Sequence, residues 1–211
     1  MASYDPLDIV DWRRRVFAIY AAVRADPDPE SAHSRWREER DELFAHHPAS
    51  PVPLEERQGF RGLDVAPYDQ AWRFEVELRP SEPTPWEVQT GTDGVVPFVQ
   101  LGTVSLPGVG DLSVWRLTSY AGGVFVPMHD GGCGKPGGGY GGGRYLLDTV
   151  KGADLGSNGD QLVVDLNFAY APSCAYDPAW ACPLPPPGNR VQTVVPVGEL
   201  HTRTTAGVKA V

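Results

Sequence analysis

The stretch Trp72-Arg73-Phe74-Glu75-Val76-Glu77-Leu78-Arg79 decides the fold class of this 211-residue chain. Its apolar residues alternate strictly with charged ones, and a period of two belongs to a β-strand with one face in the core and one in water. Trp86 to Gln89, Val95 to Leu101, Leu112 to Ser119, Gly123 to Met128, Arg144 to Asp148, Leu162 to Phe168 and Val191 to Val197 are predicted to be further strands. Thr90 to Gly94 and Pro107 to Asp111 supply turn chemistry between them. Such short connections favour antiparallel pairing, since a parallel pair needs a crossover of about a dozen residues.

Upstream of this stretch the period is helical. Asp5-Pro6 places a capping carboxylate before a proline suited to a first helical turn, and Leu7, Val10, Val16, Phe17, Tyr20 and Val23 follow at helical spacing up to about Ala25. Asp28-Pro29 repeats the signal. Beyond it Ala32, Trp36, Leu43 and Phe44 form a stripe, while Arg35, Arg37, Glu38, Glu39, Arg40 and Asp41 read as a solvated face. His46 and His47 suit the negative end of that helix, and Ser50-Pro51-Val52-Pro53 cannot continue it. The expected class is therefore mainly β with N-terminal helices (α+β), built on an antiparallel β-barrel or sandwich. Residues 1–50 form its helical section, 51–200 the β domain with a glycine-rich loop at 131–143 and a proline-rich loop at 171–189, and 201–211 a tail.

Composition excludes several functions. Eighteen basic against 27 acidic residues give a net charge of −9, which opposes a nucleic-acid backbone or an anionic membrane surface. With no run of about 18 apolar residues and no secretory pattern after Met1, a cytoplasmic location is the expectation. Cys133, Cys174 and Cys182 are then expected as thiols. The seven residues between Cys174 and Cys182 exceed the usual spacing within a zinc pair, so small buried hydrophobes or a loop clasp are the simpler roles.

Nine of the thirteen residues from Gly131 to Gly143 are glycine, and GxGxxG occurs formally. A dinucleotide site needs a helix after such a turn, whereas more glycine and then a strand follow, and Pro136 stands after Lys135 where a phosphate loop needs Ser or Thr. A loop that closes over a ligand or lies flat on the sheet fits better, with Arg144 at its end. In the segment 162–168 a strand would put Asp165 and Asn167 on one face, turned either to solvent or into an enclosed cavity. His129 could act as a base or ligand if it shares a pocket with Asp165 or Glu199. None of the motifs GxSxG, SxxK and HExxH is present.

Four motifs carry a resemblance. They are Gly139 to Asp148, Val164-Asp-Leu-Asn-Phe-Ala-Tyr-Ala-Pro-Ser-Cys-Ala-Tyr176, Cys182-Pro-Leu-Pro-Pro-Pro-Gly-Asn189 and Val197-Gly-Glu199, supported upstream by Trp36, Ala49-Ser-Pro51, Phe60-Arg-Gly-Leu63 and Pro67-Tyr68. In order and spacing they resemble DUF1684, a bacterial and archaeal family of unknown function. The resemblance implies that Tyr140, Gly143, Arg144, Tyr145, Asp165, Asn167, Tyr170, Cys174, Tyr176, Cys182, Pro183, Asn189 and Glu199 match the family pattern. This chain departs from it at Pro127-Met128-His129-Asp130, where the family favours Pro-Phe-Arg-Asp, at Gly138-Gly139-Tyr140, where it favours Glu-Thr-Tyr, and at Ala171, where it favours Asn.

Two readings of function stay open. In one, a small-molecule-binding protein or scaffold holds an internal polar network in which Arg144 pairs with Asp165 or Glu199, and Asn167 and Asn189 tie down backbone groups. In the other, a cofactor-independent enzyme acts on a small organic substrate by acid–base or hydrolytic chemistry. Asp165 is then its acid or base, Arg144 the partner of a carboxylate or oxyanion, and His129 and Glu199 the reserve proton carriers. Tyr140, Tyr145, Asn167, Tyr170 and Asn189 complete the substrate-binding set. A variant of this reading has Asp130, His129, Asp165 and Glu199 hold a hard cation, but the favoured reading assigns no metal and no cofactor. The enzyme reading requires Arg144, Asp165 and a tyrosine to converge on one open cavity.

Overall fold

The computed structural model describes residues 5–90, 94–120 and 122–201. Helix α1 (Pro6–Ala25) starts where the Asp5 carboxylate accepts from the Leu7 N–H at 2.8 Å, and α2 (Pro29–His46) starts with the same device, Asp28 accepting from Glu30 at 3.1 Å. Each proline sits where a missing N–H costs nothing. The predicted stripe of α1 buries only in part. Leu7, Val10 and Phe17 stay 74%, 41% and 48% exposed, whereas Ile19, Tyr20 and Val23 are buried. A short α3 (Leu54–Arg57) follows.

Nine strands come next among the described residues: β1 (Arg73–Glu77), β2 (Arg79–Pro80), β3 (Pro85–Thr90), β4 (Gly94–Leu106), β5 (Gly110–Leu117), β6 (Val124–Met128), β7 (Arg144–Asp148), β8 (Ser157–Asn158) and β9 (Gln161–Asp165). All ladders are antiparallel. One sheet has the order β1-β9-β8; the other runs β2-β4-β5-β6-β7, with β3 also paired to β4. The sheets do not close on themselves, so of barrel and sandwich the chain takes the sandwich-like arrangement. Phe74, Val76 and Val164 of the small sheet share a core with Val104, Leu112, Val114 and Val126 of the large one. On β5 the period of two sends Trp115 to the opposite face, where it joins Phe98, Phe125 and Tyr145.

Two predicted strands need correction. The ladder at 162–168 stops at Asp165, and Leu166–Phe168 is a 3-10 turn. Residues 191–197 form no strand. The predicted tail begins at His201, whose N–H donates to the Gly138 carbonyl at 2.8 Å; the rest of it lies outside the described residues, as does most of the Thr90-to-Gly94 turn.

A third core joins the helices to the C-terminal segment, with Trp36, Leu43 and Phe44 of α2 against Phe168, Ala171 and Tyr176. Trp36 is fully buried, and truncating such an indole costs about 3–5 kcal/mol. No described helix is long and apolar enough to cross a membrane.

Candidate functional site

Arg144 opens β7 with no exposure, and both terminal nitrogens of its guanidinium are committed to the protein. Nη2 donates to Asp130 Oδ2 at 2.7 Å and to the Val195 carbonyl at 3.0 Å; Nη1 donates to the carbonyls of Val197 at 2.5 Å and Glu199 at 3.3 Å. Asp130 also accepts from the Gly132 and Val195 N–H groups at 2.8 and 3.2 Å and from the Cys133 thiol at 3.2 Å. Burial alone raises its pKa. The Arg144 charge and these hydrogen bonds together outweigh burial and hold the carboxyl below its ordinary value. Arg144 therefore pairs with Asp130, not with the side chain of Asp165 or Glu199 as the sequence led us to expect. The same bonds explain the missing strand at 191–197, whose carbonyls answer a guanidinium instead of a neighbouring strand.

Asp165 and Asn167 form a second, separate network. Asp165 Oδ1 accepts from the Asn167 N–H at 3.0 Å and from its Nδ2 at 2.7 Å, a local bond that competes with the ladder and turns the chain. Its Oδ2 accepts from the Tyr68 hydroxyl at 3.3 Å and lies 3.6 Å from Arg73 Nη1. Burial outweighs these partners and raises the Asp165 pKa. The Asn167 amide accepts from the Asp69 N–H and donates to the Asp69 carbonyl, both at 2.9 Å.

Asn189 makes a third clasp. Its Nδ2 donates to the carbonyls of Ser113 and Pro127, each at 2.8 Å, and its Oδ1 accepts from the Trp115 indole N–H at 2.8 Å. The backbone of His129 pairs with Asn189 and Val191. Tyr145 donates to the Pro183 carbonyl at 2.7 Å, pinning the proline-rich loop just after Cys182, and Tyr140 packs edge-on against His201 at 5.3 Å. Arg144 and Asp165 thus do not converge on a cavity. Asp130, His129, Asp165 and Glu199 do not gather either, and among the described residues no three His, Cys, Asp or Glu side chains are placed to share a metal ion.

Glu199 and Tyr170 lead to a different place, a cleft between α1, α2 and residues 170–176. Arg40 forms its floor. Its Nη2 donates to Glu199 Oε2 at 2.9 Å, and its guanidinium lies against the rings of Trp36, Phe44 and Tyr170 at 4.5, 5.1 and 5.5 Å. Glu199 also accepts from the Tyr176 hydroxyl and from the Ala171 N–H. Burial raises its pKa even though Arg40 opposes the shift. The charged run around Arg40 predicts a solvated face, yet Arg40 is buried, and it stands four residues after Trp36 and four before Phe44. That spacing was the signal for its burial.

The cleft has two adjoining chambers. The inner one, about 70 Å³, is walled by Trp12, Val16, Arg40, Phe44, Tyr170 and Tyr176. The outer one, about 260 Å³, shares Trp12, Arg13, Pro51, Lys151 and Ser173 with it and extends to Ile9, Trp180 and Cys182. Two of the four buried side-chain polar atoms without a partner among the described residues, Arg40 Nη1 and the Tyr170 hydroxyl, belong to residues of the inner wall.

Comparison with known proteins places this architecture. The family described as "Protein of unknown function (DUF1684)" matches residues 58–200, a span that holds all four sequence motifs. The chain belongs to the DUF1684 family. The solution NMR structure of an uncharacterized protein from gene locus rrnAC0354 of Haloarcula marismortui is similar, with 35% identity and a TM-score of 0.58, over 81% of this chain and 92% of that one. A search of curated proteins finds no match. In the DUF1684 segment lie Tyr170, Tyr176 and Glu199; Arg40 and the helical wall of the cleft precede it.

Proposed function

We propose that this DUF1684 protein binds a small organic acid in the cleft, its carboxylate in the inner chamber and its apolar body in the outer one. The observation that carries this reading is the pair of unanswered donors, Arg40 Nη1 and the Tyr170 hydroxyl. A buried donor left without an acceptor costs about 1–3 kcal/mol, and more when charged, so native structures keep few of them. A carboxylate offers two oxygens to these two donors. The inner chamber is too small for a ring, since a cavity of roughly 150 Å³ is what holds benzene, and it suits a head group alone. The outer chamber, between Trp12 and Trp180, takes the apolar part.

Charge supports the same ligand. Arg13 and Lys151 line both chambers, and Arg13 has no ion-pair partner among the described residues. Glu199 does not line the cleft; it positions Arg40 from behind.

The test is an NMR titration with butyrate and benzoate, using the corresponding amides as uncharged controls. The acids should shift resonances of Trp12 and Tyr170 saturably, and Tyr170→Phe should weaken binding about tenfold, equivalent to ~1.4 kcal/mol. Amides that bind as well as acids, or acids that leave the cleft resonances unmoved at millimolar concentration, would overturn the reading.

A further inference from the structure

Cys182 opens onto the outer chamber, and Cys174 lies directly behind it. Neither is in a disulfide. The Cys174 N–H donates to Cys182 Sγ at 3.4 Å, which holds the two cysteines side by side. The loop that carries them is pinned next to Cys182 by the Tyr145 bond to the Pro183 carbonyl. Two neighbouring cysteines, one of them lining a cavity and its sulfur held by the backbone of the other, are the arrangement that a nucleophilic thiol and a resolving thiol require.

We infer that Cys182 and Cys174 form a peroxide-reactive thiol pair on the wall of the outer chamber. The Cys182 thiolate attacks the distal oxygen of a peroxide ROOH. The O–O bond breaks, the sulfur is oxidised to a sulfenic acid, and RO⁻ takes a proton to leave as ROH. The Cys174 thiol then attacks that sulfur, forming the disulfide and releasing water. A small thiol returns both cysteines to their reduced state and is itself oxidised to a disulfide.

The surroundings favour this order of events. The contact with Cys174 is the largest influence on Cys182, and with the Lys151 charge it outweighs burial and lowers the Cys182 pKa below its ordinary value. The same contact and burial push the Cys174 thiol up, although the Tyr140 hydroxyl beside it opposes this. Asp148 is the nearby acid, and Lys151 Nζ faces it at 3.6 Å. Cys133 serves as an internal reference. Burial and the Asp130 carboxylate raise its pKa to about 12 and leave it inert.

The experiment uses the full chain, without substitution at first. Iodoacetamide should alkylate Cys182 at pH 7 at least about tenfold faster than Cys133, because thiolate fraction outweighs the lower nucleophilicity of a low-pKa thiol. Treatment with hydrogen peroxide or cumene hydroperoxide should then give a single intramolecular disulfide between Cys174 and Cys182, reversed by dithiothreitol. The faster of the two peroxides identifies the source, and the indole walls predict cumene hydroperoxide. Cys174→Ser should trap a sulfenic acid at Cys182, captured by dimedone. The inference is overturned if Cys133 reacts as fast as Cys182, or if no Cys174–Cys182 disulfide forms in the wild-type chain.

Discussion

Arg40 and Glu199, 159 residues apart in sequence, meet at 2.9 Å behind the wall of the cleft, and this buried pair behaves oppositely to the Arg144–Asp130 pair at 2.7 Å. The Glu199 carboxyl is raised above its ordinary value because burial wins, while the Asp130 carboxyl is lowered because its partners win. In the first pair the ionised acid is a cost to folding, and in the second it is a gain.

For Glu199 the sign runs against the usual expectation for an ion pair. A carboxyl whose folded pKa is raised makes stability fall as pH rises from the unfolded value through the folded one. Glu199→Gln should therefore remove that slope in the mildly acidic range and cost less at pH 7 than losing Arg40, since the amide oxygen still accepts from the guanidinium. Arg40→Met instead strands the carboxylate and should cost about 3–5 kcal/mol at pH 7. Urea denaturation of both variants at pH 5 and 7 checks the asymmetry, and equal losses for the two would contradict it.

Asp130 should show the ordinary acid response. Its folded pKa lies below the unfolded value of about 3.9, so its contribution is complete above that pH and is lost as pH falls through the folded value. Asp130→Asn leaves Arg144 buried without its counter-charge, for a cost of about 3–5 kcal/mol at pH 7. The variant should also unfold less steeply on acidification below pH 4, which a series of melting temperatures against pH would display.

Tyr170→Phe separates stability from binding. Its hydroxyl is buried without a partner, so removing it takes away a desolvation cost and should stabilise the ligand-free protein by roughly 1 kcal/mol. A melting temperature that falls instead would show that the hydroxyl is answered within the protein and would remove half of the carboxylate clamp.

Much of the fold was legible because local pattern and tertiary environment agree. Residues 73–77 alternate and sit on a one-sided strand; β7 falls where it was read, at Arg144–Asp148. Agreement fails where a side chain takes over a backbone role. Val191 to Val197 alternates no less plausibly, yet Arg144 claims two of its carbonyls, and nothing local in either segment announces that partnership. The strand at 162–168 ends early because Asp165 caps its own successor residues. The cleft was half visible: Tyr170 and Glu199 stood among the candidates, but Arg40 was hidden in a charged run where only its spacing from Trp36 and Phe44 set it apart.

The glycine segment supplies the last prediction, since its composition answers to packing on itself. A Cβ on Gly138 would lie 1.9 Å from the Gly132 carbonyl oxygen, and one on Gly131 would lie 2.1 Å from that of Gln192, so neighbouring backbones cross where only a hydrogen fits. Gly134 donates to the Gly139 carbonyl at 2.9 Å, closing the fold of the loop on itself. Gly138→Ala must displace one of two backbones and should cost at least about 3 kcal/mol. Gly137, with φ of 74° and no atom near a new Cβ, isolates the conformational part, and Gly137→Ala should cost only about 1–2 kcal/mol. Similar losses from the two substitutions, measured by chemical denaturation, would mean that the loop opens easily and that crowding is not what selects its glycines.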